Sequence, residues 1–211
     1  MKITELKVFI VGNPPPGFGG RYFTFVKLTA DNGISGIGEC YCATFGPRAM
    51  TAMIEDTFGR YVEGMDPFHI ESLWRKVYGS GYTQRPDVSL MGVLSGIEIA
   101  LWDIIGKSVG KPVYELLGGR VHEKLRSYTY IYPDIAKGQT DAIYWNAEAS
   151  AERAAHYLNL GFTAIKFDPA APYSSFDPRQ PSLESMELCA KFCKLIREAV
   201  GTKADLLFGT H

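Results

Sequence analysis

Between residues 89 and 108 the apolar positions Leu90, Val93, Leu94, Ile97, Leu101, Ile104 and Ile105 recur at steps of three and four, the spacing of one buried helix face. Gly110 and Pro112 mark the end of that helix. Two more helices are predicted ahead of it, over 47–63 and 67–78. Nearer the N-terminus the pattern is that of strands. Residues 2–11 and 21–30 read as a pair, the second rich in aromatic and β-branched residues (Phe23, Phe25, Val26) with Leu28. Asp31-Asn-Gly33 predicts a hairpin turn into a third strand at 34–39. Strands followed by a run of helices make an α+β pattern.

From Lys124 the rhythm changes. Strands are predicted at 125–132, 162–169 and 204–211, with helices at 147–160 and 183–200 between them. That β-α-β-α-β order signals a parallel sheet with crossover helices. A domain boundary near residue 120 follows, giving units 1–120 and 121–211. Three strands and two helices cannot close an eight-stranded barrel, and an open piece leaves an unpaired sheet edge. Either the rest of a barrel belongs to a longer protein or this chain folds differently, and a partial barrel is the expectation.

With 211 residues and 46% apolar content the chain can build a core. A formal net charge of −1 removes any electrostatic argument for nucleic acid or an anionic membrane. No apolar run is read as reaching the roughly 20 residues of a membrane span. Met1-Lys-Ile-Thr leads straight into a strand without a signal segment, so the expected location is the cytoplasm. Cysteine usage agrees. Cys189 and Cys193 share a predicted core face with Met186 and Ile196, and Cys40-x-Cys42 is too close for an ordinary disulfide.

Candidate chemistry collects at strand ends. Alternation puts Ala164, Lys166 and Asp168 on one side of one parallel strand, and Leu207, Gly209 and His211 on one side of the next. In a (β/α)8 barrel the reactive groups sit at the C-terminal ends of strands, where Lys166, Asp168 and His211 fall. A cation, a carboxylate and an imidazole there suit proton transfer; a structural ion pair is the alternative. Tyr128, Tyr130 and Tyr132 alternate on the strand before and read as core filling. The Asn13–Gly20 loop, with three prolines and Phe18, reads equally as a substrate cover or a long connection. Phe18, Arg21, Tyr22 and Phe45, with Tyr82 and Arg85 before the long helix, are candidate substrate contacts. The segment from Tyr173 and Phe176 to Pro181 reads as a lid or a surface excursion. His69, His122 and His156 show no partner pattern and read as surface or packing residues.

The string Ser95-Gly-Ile-Glu-Ile-Ala-Leu-Trp-Asp-Ile-Ile-Gly-Lys-Ser-Val-Gly-Lys-Pro-Val-Tyr-Glu-Leu-Leu-Gly-Gly119 resembles the end of the capping domain in the mandelate racemase and muconate lactonizing branch of the enolase superfamily. Nearly the whole chain can be laid along that family. The resemblance implies an α+β capping domain followed by the first β/α units of a (β/α)8 TIM-type barrel. It also implies a divalent metal, usually Mg²⁺, that stabilises the enediolate formed when a base removes the proton α to a carboxylate. Family racemases carry Lys-x-Lys on the second barrel strand; here Lys166-Phe-Asp168 keeps only the first lysine. On the third strand the acid-sugar dehydratases often read acid-x-His, and here Gly209-Thr-His211 keeps only the histidine. Glycine has no side chain to coordinate a metal. Asp205 lies at the wrong end of the strand to replace the missing acid, so the metal ligands stay unassigned.

These departures resemble the acid-sugar dehydratases most. That resemblance implies His211 as acid/base, Lys166 as electrostatic partner of the enediolate, Asp168 as an orienting group, and a small sugar acid as substrate. A racemase or cycloisomerase of the same superfamily, and a non-catalytic piece lacking most of the metal site, are the alternatives. Self-association into a homo-oligomer is implied by resemblance as well.

Overall fold

The computed structural model describes residues 1–15, 17, 19–41, 45–82, 87–169 and 180–209. The chain divides into two compact units, Met1–Val121 and His122–His211.

In the first unit β1 (Ile3–Gly12), β2 (Tyr22–Ala30) and β3 (Ser35–Cys40) form an antiparallel meander. Gly33, at φ 83°, supplies the left-handed residue of the turn between β2 and β3, and the Ile34 amide donates to Asn32 Oδ1 at 3.2 Å. On β2 Thr24, Val26, Leu28 and Ala30 alternate into the interior. The helices are α1 (Pro47–Thr57), α2 (Ile70–Tyr78), α3 (Val88–Val109) and a short α4 (Val113–Leu116). The single helix expected over 47–63 instead ends at Thr57 and widens into a π-helical turn, Phe58–Val62.

The long helix α3 is the spine of this unit. Asp87 caps it by accepting from the Ser89 and Leu90 amides, and Gly110 closes it in the left-handed conformation. Val93, Leu94, Ile97, Ala100, Leu101 and Ile104 are buried against the sheet and neighbouring helices. One expectation needs correcting: α3 is long and apolar enough, by length and composition, to cross a membrane. Its apolar residues are largely those that form the core.

The helix meets β3 almost backbone to backbone. A Cβ on Gly38 would lie 1.9 Å from the Gly96 carbonyl oxygen, one on Gly36 2.1 Å from the Ala100 oxygen, and one on Gly96 2.3 Å from Cys40 Sγ. Glycine is needed here for space. The free edge of β3 is also covered from α3. Asp103 accepts from the Ile37 amide at 3.1 Å and Lys107 donates to the Ser35 carbonyl at 2.8 Å, while the two side chains pair at 2.7 Å. Pairing those backbone groups blunts the edge against association.

In the second unit β4 (Thr129–Tyr130), β5 (Ala164–Phe167) and β6 (Asp205–Phe208) form a parallel sheet in chain order. The connections run through α5 (Ala147–Asn159) and α6 (Leu183–Val200). Ile131, Ile165 and Phe167 join Ala151 and Ala154 of α5 and Phe192, Ile196 and Val200 of α6 in one core. Two expectations change. The strand predicted over 125–132 is reduced to two ladder residues; Leu125 and Tyr128 are exposed, and Arg126 ties this stretch instead to Thr163 and, at 2.6 Å, to Asp205. On α6 the buried seam is Phe192, Ile196 and Val200, with Cys189 and Cys193 at its margin and Met186 exposed. Cys189 and Cys193 are free thiols, the buried Cys40 Sγ reaches the Val93 carbonyl at 3.9 Å, and Cys42 lies outside the described residues.

Replacing Gly38 by Ala forces a Cβ onto the Gly96 carbonyl, so G38A is expected to lose about 1–3 kcal/mol or more by overpacking. Gly59, whose Cβ would meet nothing within 4 Å, is the control: G59A should stay within about 0.5 kcal/mol of wild type. Urea unfolding followed by circular dichroism compares them; equal midpoints for G38A and wild type would contradict the close-contact account.

Candidate active site

The ladder brings the ends of β4, β5 and β6 level. Tyr130 pairs with Lys166, and Lys166 with Leu207. Past the strands, the Ile131 amide donates to the Lys166 carbonyl at 3.1 Å and the Gly209 amide to the Phe167 carbonyl at 2.9 Å. Because side chains alternate, Ile165 and Phe167 enter the helix-covered core and Lys166 and Asp168 take the other face. Tyr130 and Leu207 share that face by register. Lys166 and Asp168 are each part-buried there.

Asp168 is held from two sides. The Tyr130 hydroxyl donates to its Oδ2 at 3.0 Å. On the other side, a Cβ placed on Gly209 would lie 1.6 Å from Asp168 Oδ1, so the carboxylate occupies the space where a side chain at 209 would begin. Burial, and then the charge and hydrogen bond of Asp168, push the Tyr130 phenol well above its ordinary pKa. The phenol therefore stays protonated and keeps donating. Its ring packs against Tyr132 (centroids 5.4 Å apart) and edge-on to Tyr144 (5.8 Å). The Tyr144 phenol is also raised, chiefly by burial and next by Asp141.

Sequence reasoning treated Tyr130 as filling and missed Arg153 altogether. Arg153 is only 8% exposed; its Nε donates to the Tyr132 carbonyl at 2.9 Å, Nη1 reaches Asp134 at 3.4 Å, and Nη2 reaches the Tyr157 hydroxyl at 3.4 Å. It thereby ties the segment leaving β4 to α5. An arginine among Ser150, Ala151 and Ala154 on the buried face of α5 was the one available signal.

In the first unit, Arg21 and Tyr22 line a cavity of about 350 Å³ together with Thr24 and Glu39. The Tyr22 hydroxyl donates to the Phe45 carbonyl at 2.8 Å, joining the start of β2 to the segment before α1. Thr24 Oγ1 is buried and has no hydrogen-bond partner among the described residues. Tyr82 does not line this cavity; it is 92% exposed with φ 56°, an uncommon backbone state for a bulky residue. Phe18, Arg85, Tyr173, Phe176 and His211 lie outside the described residues. His69, His122 and His156 are all exposed. Among the described residues no three His, Cys, Asp or Glu side chains gather as a metal ion requires. The Mg²⁺ implied by resemblance meets one carboxylate at this mouth, Asp168, and no donor side chain at Gly209, so the described residues do not compose its site.

Residues 18–118 match the model of the mandelate racemase/muconate lactonizing enzyme N-terminal domain. A D-galactonate dehydratase from Xanthomonas euvesicatoria is 31% identical over 211 residues, all of this chain and 48% of that protein. A D-mannonate dehydratase from Novosphingobium aromaticivorans is 33% identical over 82% of this chain and 38% of its own length. A solved structure from Labrenzia alexandrii, described as a mandelate racemase/muconate lactonizing enzyme, superposes with TM-score 0.91 at 60% identity, covering all of this chain and 55% of that one. One from Jannaschia gives TM-score 0.93 at 48% identity, with coverage of 100% and 54%. The chain thus spans about half the length of the curated relatives it matches. The α+β capping domain, the signature helix and similarity over the whole chain make it a member of the mandelate racemase/muconate lactonizing branch of the enolase superfamily, similar to its acid-sugar dehydratases.

Proposed function

We propose that the full-length protein is a lyase that removes the proton α to the carboxylate of a sugar acid and eliminates the β-hydroxyl as water. In this reading β4–β6 with α5 and α6 are the first units of a (β/α)8 barrel, following a capping domain at 1–120. The support is the parallel β4-β5-β6 order, together with relatives about twice as long that are named D-galactonate and D-mannonate dehydratases. The observation that carries the chemistry is the level mouth of the sheet, where Lys166 and Asp168 share one face.

The C2–H bond of the substrate breaks first, its proton going to a base and its electrons into an enediolate. Collapse of the enediolate then breaks the C3–O bond, and the departing hydroxide takes a proton to leave as water. The product enol gains a proton at C3 and gives up its C2 hydroxyl proton to become the 2-keto-3-deoxy acid. Lys166 supplies positive charge where negative charge develops, an interaction stronger in the transition state than in the ground state. Asp168 orients a proton-bearing neighbour, and His211 is the proposed acid/base. Arg21, Tyr22, Phe45 and Tyr82, with Phe18 and Arg85, are the proposed substrate contacts. For Arg21 and Tyr22 the support is the cavity they line, which has the volume range of a small-ligand site. Mg²⁺, when bound, would supply further charge stabilisation to the enediolate. A homo-oligomer is part of the same proposal, resting on resemblance, as is a cytoplasmic location, resting on cysteine usage.

Incubating the full-length protein with Mg²⁺ and a panel of sugar acids, and reading 2-keto acid, tests the assignment. K166M should lower kcat by about 10²-fold or more if Lys166 offsets developing charge. Racemisation or lactone opening without keto acid on any member of the panel would sink the dehydratase reading.

A further inference from the structure

We propose that Gly209 and Tyr130 are positioning residues for Asp168: the bare Cα at 209 seats the carboxylate between the ends of β5 and β6, and the Tyr130 hydroxyl clamps it from β4. The inference deepens the reading of this mouth as a proton-transfer site and rests on that reading only for its kinetic consequence.

The requirement for glycine at 209 is steric. Its φ is not in the left-handed range, so φ by itself does not call for glycine there. What excludes a side chain is the Asp168 carboxylate, with Oδ1 1.6 Å and Cγ 2.8 Å from the place of a Cβ. Ordinary contact needs about 3.5 Å or more, so even alanine must drive the carboxylate aside. The backbones cannot yield readily, because the Gly209 amide is bonded to the Phe167 carbonyl at 2.9 Å. The Asp168 side chain must then leave its rotamer, and that movement breaks the 3.0 Å bond from Tyr130.

Tyr130 cannot simply follow. Its backbone is paired with Lys166, and its ring packs against Tyr132 and Tyr144. Three residues at neighbouring strand ends therefore share one geometric freedom, the direction of one carboxylate. The third strand offers no side chain of its own at 209; the functional group that stands there belongs to the second. A carboxylate immobilised in this way is an acceptor of fixed direction for a hydroxyl or N–H brought to the mouth. A mobile one would have to be ordered at every turnover.

The test uses full-length G209A, D168A, Y130F and the double variant G209A/D168A, with ¹³Cζ-labelled tyrosine. The Tyr130 resonance is the one missing from Y130F. Both D168A and G209A should shift that resonance and lower the pH at which Tyr130 ionises, since each removes the carboxylate from the phenol. With a turned-over sugar acid, kcat should fall in both while KM changes less, and the double variant should be no worse than D168A, the non-additivity of residues acting as one unit. If G209A fails to fold, the double variant should recover the melting temperature of D168A. An unmoved Tyr130 resonance in G209A, independent additive losses, or a double variant less stable than D168A would overturn the proposal. The NMR result needs no turnover, so lack of keto acid formation counts against the reaction and not against the positioning unit.

Discussion

The second unit depends on a short parallel ladder. Central β5 accepts from both neighbours at its end, from the Ile131 amide through Lys166 and from the Gly209 amide through Phe167. Those two bonds bring three chain segments level. The alternation along β5 does the sorting, sending Ile165 and Phe167 into the helix-packed core and leaving the opposite face for Lys166 and Asp168. Burial of the first pair stabilises the sheet; the second pair is then presented at an edge whose position it does not itself maintain. A one-residue slip would exchange the two sets and bury a lysine and an aspartate.

Glycine acts in the same way in both units. At Gly36, Gly38 and Gly96 of the capping domain, and again at Gly209, the backbone conformation does not demand glycine. A neighbour does. In the capping domain the neighbour is the backbone of α3 or the Cys40 thiol, and the outcome is a close helix–sheet contact that excludes voids. At 209 the neighbour is a carboxylate, and the outcome is a polar group set across a strand gap. The first use serves stability, and the second serves direction.

How much of this the sequence discloses follows from the range of each interaction. Helix α3 was legible because its burial repeats locally and Gly110 marks its end, whereas its Asp87 cap went unread. The turn at Asp31–Gly33 was legible for the same reason. The two-residue β4 was not, because Leu125–Tyr128 has strand-like composition while tertiary ties from Arg126 hold it off the ladder. Nor was the π-helical turn after α1, since period alone cannot distinguish the two windings over five residues. At the candidate site, alternation indicates which side Tyr130 and Asp168 take but not that they bond, a contact spanning 38 residues. Gly209 read only as an absent ligand; its meaning emerged from a side chain on another strand. Arg153 was hidden inside an otherwise ordinary amphipathic helix.

The central claim is that a C–H bond next to a carboxylate is ionised at this mouth. The most direct measurement follows a sugar acid deuterated at C2 through turnover by the full-length protein in ordinary water. The account predicts a primary isotope effect on kcat/KM, about twofold or more, since the C–H bond breaks in the transition state, with solvent hydrogen at C3 of the keto acid. Passage of the C2 deuterium intact to C3, with no solvent hydrogen gained there, would contradict it.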